Sequence, residues 1–580
     1  MSYIYTHGSG TVEDPYQIWT AADLNGVRDY LSAHFIQMAD INLSSWGNWI
    51  PIGETFSTSF TGLYNGNDFK IDHLQDKSLF GYGQDCVITN THITNATVAD
   101  QGILFQEINI DNPHEPYNLY NCSVQGSITN SGTNAFTRIG GLGTILYCSF
   151  PVKVKDLSAN IIMNLSVRRE VGGMFAQARR VTLEDCTSTG IISISEVTSG
   201  SSAYIGGLIG DLSAAGEYGV SGCSSSCDIE VEATGNDFII GGLIGEATGP
   251  LSNCYATGNV ILITSNNYRT ALGGLIGNHW GEPPLEDCYA TGNVSGGDYS
   301  GGLIGTLSSW YFVKACYATG NVDGNTAGGL IGRASSEDCI DSYAKGKVTG
   351  LSVAGGLIGQ CNCIQVINCY SVGEVNAPTK GGLIGSWGSD NCFNCYYDSQ
   401  TSGCSDTGKG EPRTTAEMTY PYSDPENVFI NWAFYEENED WVWVHDKPEN
   451  KYDVTCTITD NNFIIDTCLV YGSNRAFCEY RYLAYLLHQE AYWDDYNLIF
   501  AGYDLTEHIK EYDDIVYLPV RYIAQDLLKL RVNWDETNQQ LHIAGSVFGP
   551  INNGYPHFTP RVAVVIRYLI AISGGTVSPL

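Results

Sequence analysis

The sequence predicts a mainly β protein, a β-solenoid (β-helix) of about nine repeats followed by a small C-terminal α+β domain. Two observations predict it. The pentapeptide Gly-Gly-Leu-Ile-Gly begins at Gly206, Gly241, Gly273, Gly301, Gly328, Gly355 and Gly381, with looser copies at Gly140 and Gly172. Successive starts lie 26 to 35 residues apart, the spacing of stacked units that each bury a face against the next. A second recurring half follows at 253–260, 287–294, 315–322, 341–348 and 368–375. Cys254, Cys288, Cys316 and Cys369 hold one place in it, and Ser342 holds that place in the remaining copy.

Within a unit, Cys-Tyr-Ala and the Asn-Val pair alternate with period two, so they read as short strands, as does Leu-Ile. No run of ten residues between 130 and 395 shows helical periodicity. Gly and Asn between the strands permit positive φ at the corners. Stacking at roughly 4.8 Å then sets like residues over one another. It makes an inner Leu-Ile ladder and a second ladder of cysteine, a small and readily buried hydrophobe. The glycine pairs let the backbone pass close to the next coil. Ser342 favours packing over metal binding or an obligate disulfide, with disulfides between adjacent coils as the alternative. The units shorten towards the C-terminus, so longer loops are expected early, at 195–203 and 264–270.

The flanks divide by composition. Residues 1–135 read as an N-terminal β-rich capping region, with a helix at 21–33 starting near Thr20, and the solenoid covers 136–397. Residues 398–450 are a polar, then acidic and Trp-rich linker. Residues 451–547 form the α+β module, with helices at 479–490 and 520–530 and strands at 454–458, 463–467, 531–534 and 540–544. The tail, 548–580, holds an apolar stretch at 562–572 interrupted by Arg567. That stretch is too short to cross a bilayer and reads as an edge strand or buried extension, or as a contact within a homo-oligomer or larger assembly, the trimer common among fibres and spikes being one such form.

A formal charge of −35 and a pI near 4.4 exclude nucleic acid and anionic membrane surfaces as partners. The acidity reads as a solvated surface. Ca²⁺ held by turn Asp and Asn residues is the alternative, although no complete EF-hand loop or nonapeptide calcium repeat is present. The 19 cysteines show no paired zinc knuckles; Cys361/Cys363 and Cys392/Cys395 are the nearest approach. Residues 1–10 have no basic flank or apolar run, so no secretory signal is expected.

Catalytic signatures are lacking: no His-Glu-x-x-His, no Gly-x-Ser-x-Gly, and no P-loop at 407–410. Glycoside cleavage needs a spaced carboxylate pair. Its candidates, Asp287, Asp338 and Asp341, occupy turn positions that favour Asp in any case. The aromatic loops after the pentapeptide are better candidates for binding. They carry Asn278-His279-Trp280, Trp310-Tyr311 and Ser386-Trp387. Equivalent loops should share one edge of the stack, where rings suit sugar faces or a protein partner; alternatively each Trp folds over its own coil end.

The two-part repeat across 140–385 resembles the GLUG motif, as do the flanking segments at 8–16, 38–41, 60–62, 397–398 and 414–418. Proteins of that family are mostly bacterial surface adhesins and large secreted proteins, and some sit on phage fibres. Members linked to immunoglobulin A peptidases use a zinc motif this sequence lacks, so the resemblance implies no protease. Residues 518–524, 532–535 and 541–543 resemble the N-terminal accessory domain of copper amine oxidases, which has no catalytic residues of its own. Neither copper nor oxidase chemistry is implied. The expected role is a non-enzymatic structural and adhesive surface protein, a phage fibre or spike component binding a host-surface glycan or protein, located on a virion or outside the cell. A bacterial adhesin or filament subunit is the alternative, and a polysaccharide-degrading β-helix enzyme the second alternative.

Overall fold

The structure is a computed structural model. It describes residues 2–418 except 115, 131–137, 167–168, 198–201, 214–218, 234–236, 265–269, 282–283, 310–311, 336–337, 364 and 388–391; beyond 454 it describes the backbone of eleven strands between Thr455 and Ala544. The chain divides into two compact units, Met1–Asn431 and Trp432–Leu580.

The first unit is a parallel β-solenoid. Each short strand pairs with its counterpart one winding later, so like residues align in columns. One interior column runs Tyr16, Phe35, Tyr64, Ile88, Leu119, Val154, Leu183, Val220, Leu251, Leu285, Val313, Cys339, Val366, Cys392. The seven pentapeptides align in another, Gly206 through Gly381 in unbroken register, with Gly140 and Gly172 ahead of them. The isoleucines behind them stack from Ile209 to Ile384, and both the Leu and the Ile of each pentapeptide are fully buried.

Coiling begins at Tyr16, well before the first glycine pair, so the region 1–135 is itself wound. Those early windings fill the Ile column with Phe80 and Phe105 instead, which is why no pentapeptide announces them. The expected helix at 21–33 is only Ala21–Gly26, followed by a single 3₁₀ turn, Val27–Asp29. A reciprocal capping box between Thr20 and Asp23 starts it. It stops early because Gly26 lies against the Tyr3 ring and the chain must turn into the strand His34–Gln37. Tyr3, Tyr5, Tyr16, Tyr30 and Phe35 cluster beside this helix at ring separations of 4.5–5.9 Å and cover the first winding.

The glycine pairs are required by space, not by positive φ. A Cβ on Gly274, Gly302 or Gly329 would overlap the glycine carbonyl of the next winding. It would also lie 2.9, 2.8 and 2.7 Å from the Cβ of Ala290, Ala318 and Ala344 in the second half of its own repeat. The two halves therefore recur together because each makes room for the other.

Positive φ sits elsewhere, one residue before the cysteine: Asn253, Asp287, Ala315, Asp341, Asn368 and Asn394 have φ between 52° and 66°. The cysteine column then closes the corner. Cys369 N–H donates to Cys395 Sγ at 3.4 Å, and Cys369 Sγ donates back to the Ile367 carbonyl at 3.2 Å. Ser342 makes the same pair of bonds, accepting from Cys316 N–H at 3.2 Å and donating to the Ile340 carbonyl at 2.7 Å. This explains why a hydroxyl replaces the thiol there. No disulfide joins the cysteines among the described residues.

The tyrosines next to these cysteines form a ladder that runs from half-exposed Tyr255 to buried Tyr343 and Tyr370. Tyr255, Tyr289, Tyr317, Tyr343 and Tyr370 stack at 4.8–5.0 Å with rings within 6° of parallel. Arg413 closes the row over Tyr396 at 4.7 Å. The last winding ends by the same geometry. Tyr397 takes the Ala position, its ring covers Gly382, and its hydroxyl donates to the Asp406 carbonyl at 2.6 Å. The strand Glu411–Arg413 pairs on top. Its central Pro412 offers no N–H to a further strand, which blunts the edge.

In the second unit, strands Thr455–Ile458, Phe463–Ile465, Arg531–Asp535 and Gln540–Ala544 form one four-stranded sheet. A second four-stranded sheet and a three-stranded sheet complete the described strands. The expected helix at 520–530, residues 480–490 of the other expected helix, and the tail 548–580 lie outside the described residues.

Two stability tests follow. Gly302→Ala should lower unfolding stability by about 3 kcal/mol, measured by denaturant titration. Ala315→Asn should raise it by about 1 kcal/mol, since Asn tolerates the left-handed conformation that Ala315 adopts at φ 66°.

Candidate ligand-binding face

The outward positions on the strand after each glycine pair make one continuous polar row. Gln177, Asp211, Glu246, Asn278, Thr306, Arg333 and Gln360 lie over one another in register. Neighbours bond along the row: Gln177 Nε2 to Asp211 Oδ2 at 2.7 Å, Asn278 Nδ2 to Glu246 Oε1 at 3.0 Å, and Thr306 Oγ1 to Asn278 Oδ1 at 2.6 Å. Across the corner, the residues before the glycine pairs form a parallel row that includes Glu170, Tyr204 and Tyr299. Arg138 Nε binds buried Glu170 at 3.0 Å, and the Arg333 guanidinium lies 5.3 Å from the Tyr299 ring centre.

Trp280 stands in a strand, Ile276–Gly281, and not in a loop. Period-two alternation turns His279 inward and leaves Asn278 and Trp280 outward. Trp280 is 49% exposed while His279 is fully buried. The Trp280 side chain and the Tyr204 hydroxyl lie against the Glu246 carboxylate. Burial raises the pKa of Glu246 first, and the charge of Asp211 raises it further. Asp211, Glu246, Tyr204, Asn278 and Trp280 thus place carboxylate, amide and phenol groups beside one exposed indole. Such a surface hydrogen-bonds hydroxyls and stacks on a flat apolar face.

The register sets Trp280 and Trp387 in different columns. Trp280 lies opposite Ser308. Trp387 ends the strand Ile384–Trp387 and pairs with Cys361, in the column His279 occupies. Its side chain, Trp310 and Tyr311 lie outside the described residues. Asp287 and Asp341 are left-handed corner residues; Asp338 and Asp341 have pKa values raised by burial. The row through Asp211 and Glu246 was legible in principle, because the residue two places after each pentapeptide Ile is polar in every copy. Among the described residues no group of three or more His, Cys, Asp or Glu is arranged to hold a metal, and no helix is long and apolar enough to cross a membrane.

No protein-family model matches the chain. A protein of Evansella cellulosilytica described as a Gly-rich membrane protein is 40% identical over 77 residues, 12% of this chain. The chain spans only 9% of that relative's length. Among solved structures, a protein described as an immunoglobulin A1 protease from Bacteroides ovatus aligns with a TM-score of 0.35 and 18% identity, covering 46% of this chain and 84% of its own. Another, described as IgA1 protease, aligns with a TM-score of 0.27 and 10% identity, covering 95% of this chain and 35% of its own.

His279 gives a pH test. Burial lowers its pKa to about 4 from the ordinary 6.5, so the folded protein holds the ring neutral. The corresponding stability is fully present above pH 6.5 and is lost as pH falls towards 4, a swing of about 3 kcal/mol. His279→Leu, in a column that holds Ala247 and Leu307 on either side, should flatten the stability profile across that window, measured by denaturant titrations at several pH values.

Proposed function

We propose that this chain is a non-enzymatic structural and adhesive protein, a fibre or spike component of a phage virion, that binds a glycan on a host surface. The solenoid supplies a stiff support, and the face around Trp280 and Glu246 supplies the contact. The observation that carries this reading is the half-exposed indole of Trp280 set beside the Glu246 carboxylate, with Asn278 and Tyr204 in reach. A pyranose stacks its apolar face on the ring and donates hydroxyls to the carboxylates. A homo-oligomer would repeat that contact and multiply a weak affinity.

The second reading, a bacterial cell-surface adhesin or filament subunit, is favoured by the similarity over 77 residues to the Evansella protein described as a membrane protein. It uses the same face. The test is binding of the full chain to surface polysaccharides purified from candidate host strains. Trp280→Ala and Glu246→Gln should each weaken binding about tenfold with the circular dichroism spectrum unchanged. Binding that survives both substitutions refutes the assignment of the face, and release of oligosaccharide fragments refutes the non-enzymatic reading.

A further inference from the structure

Six cysteines crowd the last windings, separate from the binding face. Cys339 Sγ lies 3.9 Å from Cys369 Sγ, in the next winding. The Cys369 side chain contacts Cys395, and Cys395 contacts Cys392. Cys363 N–H donates to Cys361 Sγ at 3.4 Å nearby. Within this group Cys392 alone is partly exposed; Cys339, Cys361, Cys363, Cys369 and Cys395 are buried. The sulfurs of Cys392, Cys395, Cys369 and Cys339 therefore make a row from the surface into the core.

The row has an end. Ser342 occupies the cysteine position between Cys316 and Cys369, accepting from the Cys316 N–H and donating to a carbonyl. A hydroxyl takes no part in thiol–disulfide exchange. The thiols of Cys223, Cys254, Cys288 and Cys316, all buried, are cut off from the exposed sulfur.

We propose that this row is an oxidative modification site, in which a small-molecule disulfide reacts at Cys392 and the oxidation is relayed inward to form a Cys339–Cys369 disulfide between adjacent windings and a Cys392–Cys395 disulfide at the corner. The Cys392 thiolate attacks the oxidant disulfide, forming a mixed disulfide and releasing one small thiol. Cys395 attacks the Cys392 sulfur and releases the second. Cys369 attacks Cys395 and frees Cys392; Cys339 attacks Cys369 and frees Cys395. Each attacking thiol gives up its proton, and each departing thiolate takes one. The reformed Cys392/Cys395 pair then reacts with a second oxidant molecule. In sum, four protein thiols and two small disulfides become two protein disulfides and four small thiols. The outcome is a covalent staple across the C-terminal windings, made under oxidising conditions.

The experiment treats the folded full chain with oxidised glutathione, alkylates remaining thiols, and maps linked peptides by mass spectrometry. Cys339–Cys369 and Cys392–Cys395 should appear linked, while Cys254, Cys288 and Cys316 stay alkylated as internal controls. Cys392→Ser should leave Cys339 and Cys369 reduced in the folded protein. Cys339→Ser should lose two thiols of this group in place of four. Alkylated Cys339 and Cys369 in the treated wild type overturn the proposal. So does equal oxidation of Cys254 and Cys288, or a Cys339–Cys369 link that forms equally fast in Cys392→Ser.

Discussion

The pentapeptide windings depend on one close approach: the second glycine of each pair against the alanine of Cys-Tyr-Ala in the same repeat, with the next winding's glycine carbonyl alongside. No side chain fits between them. The contact fixes how far the two walls of those windings can be apart, and so holds their columns in register. Two of the serines that replace the alanine donate to that same carbonyl, Ser188 to Gly207 at 2.6 Å and Ser371 to Gly382 at 2.8 Å, while Ser225 accepts from the Cys227 N–H at 3.2 Å. Where tyrosine replaces it, at Tyr397, the ring covers the glycine and the stack ends. The spacing tolerates a small donor and stops at a large ring.

Once the register is fixed, ladders follow without further design. Parallel in-register strands set like residues about 4.8 Å apart, the distance at which phenol rings stack and side-chain amides bond to the next backbone. The Asn row shows the latter. Asn293 N–H donates to Asn259 Oδ1 at 3.0 Å, and Asn321 N–H to Asn293 Oδ1 at 2.9 Å. Asp228 opens the row in the same way, its Oδ1 accepting from the Asn259 N–H of the neighbouring winding at 2.9 Å. The same geometry turns a row of unremarkable polar residues into the surface around Trp280.

The solenoid was legible because its constraint is sequence-local and recurrent: paired glycines, a small residue 14 to 18 places after the second of them, and a cysteine (once Ser342) two places before that. The windings ahead of Gly140 were not, because Phe80 and Phe105 fill by bulk what Leu-Ile fills later, leaving no repeated word to find. Trp280 was placed in a loop because its flanking residues differ between copies. Alternation through Glu246-Ala247 and Thr306-Leu307 already marks that segment as a strand with one face buried. The helix beginning at Ala21 was overlong in expectation because propensity carries no information about the Tyr3 ring packed on Gly26. In the second unit the four strands expected from composition coincide closely with described strands.

The account stands or falls on like residues lying directly over one another. Asp228 and Glu374 are exposed, 146 residues apart in sequence, and occupy one column through Asn259, Asn293, Asn321 and Lys347. Encoded nitroxide labels at these two positions, read by pulsed electron paramagnetic resonance, should give one narrow distance of about 24 Å, five inter-strand steps. A distance beyond about 40 Å, or a broad distribution with no dominant value, would contradict the stacked register and everything built upon it.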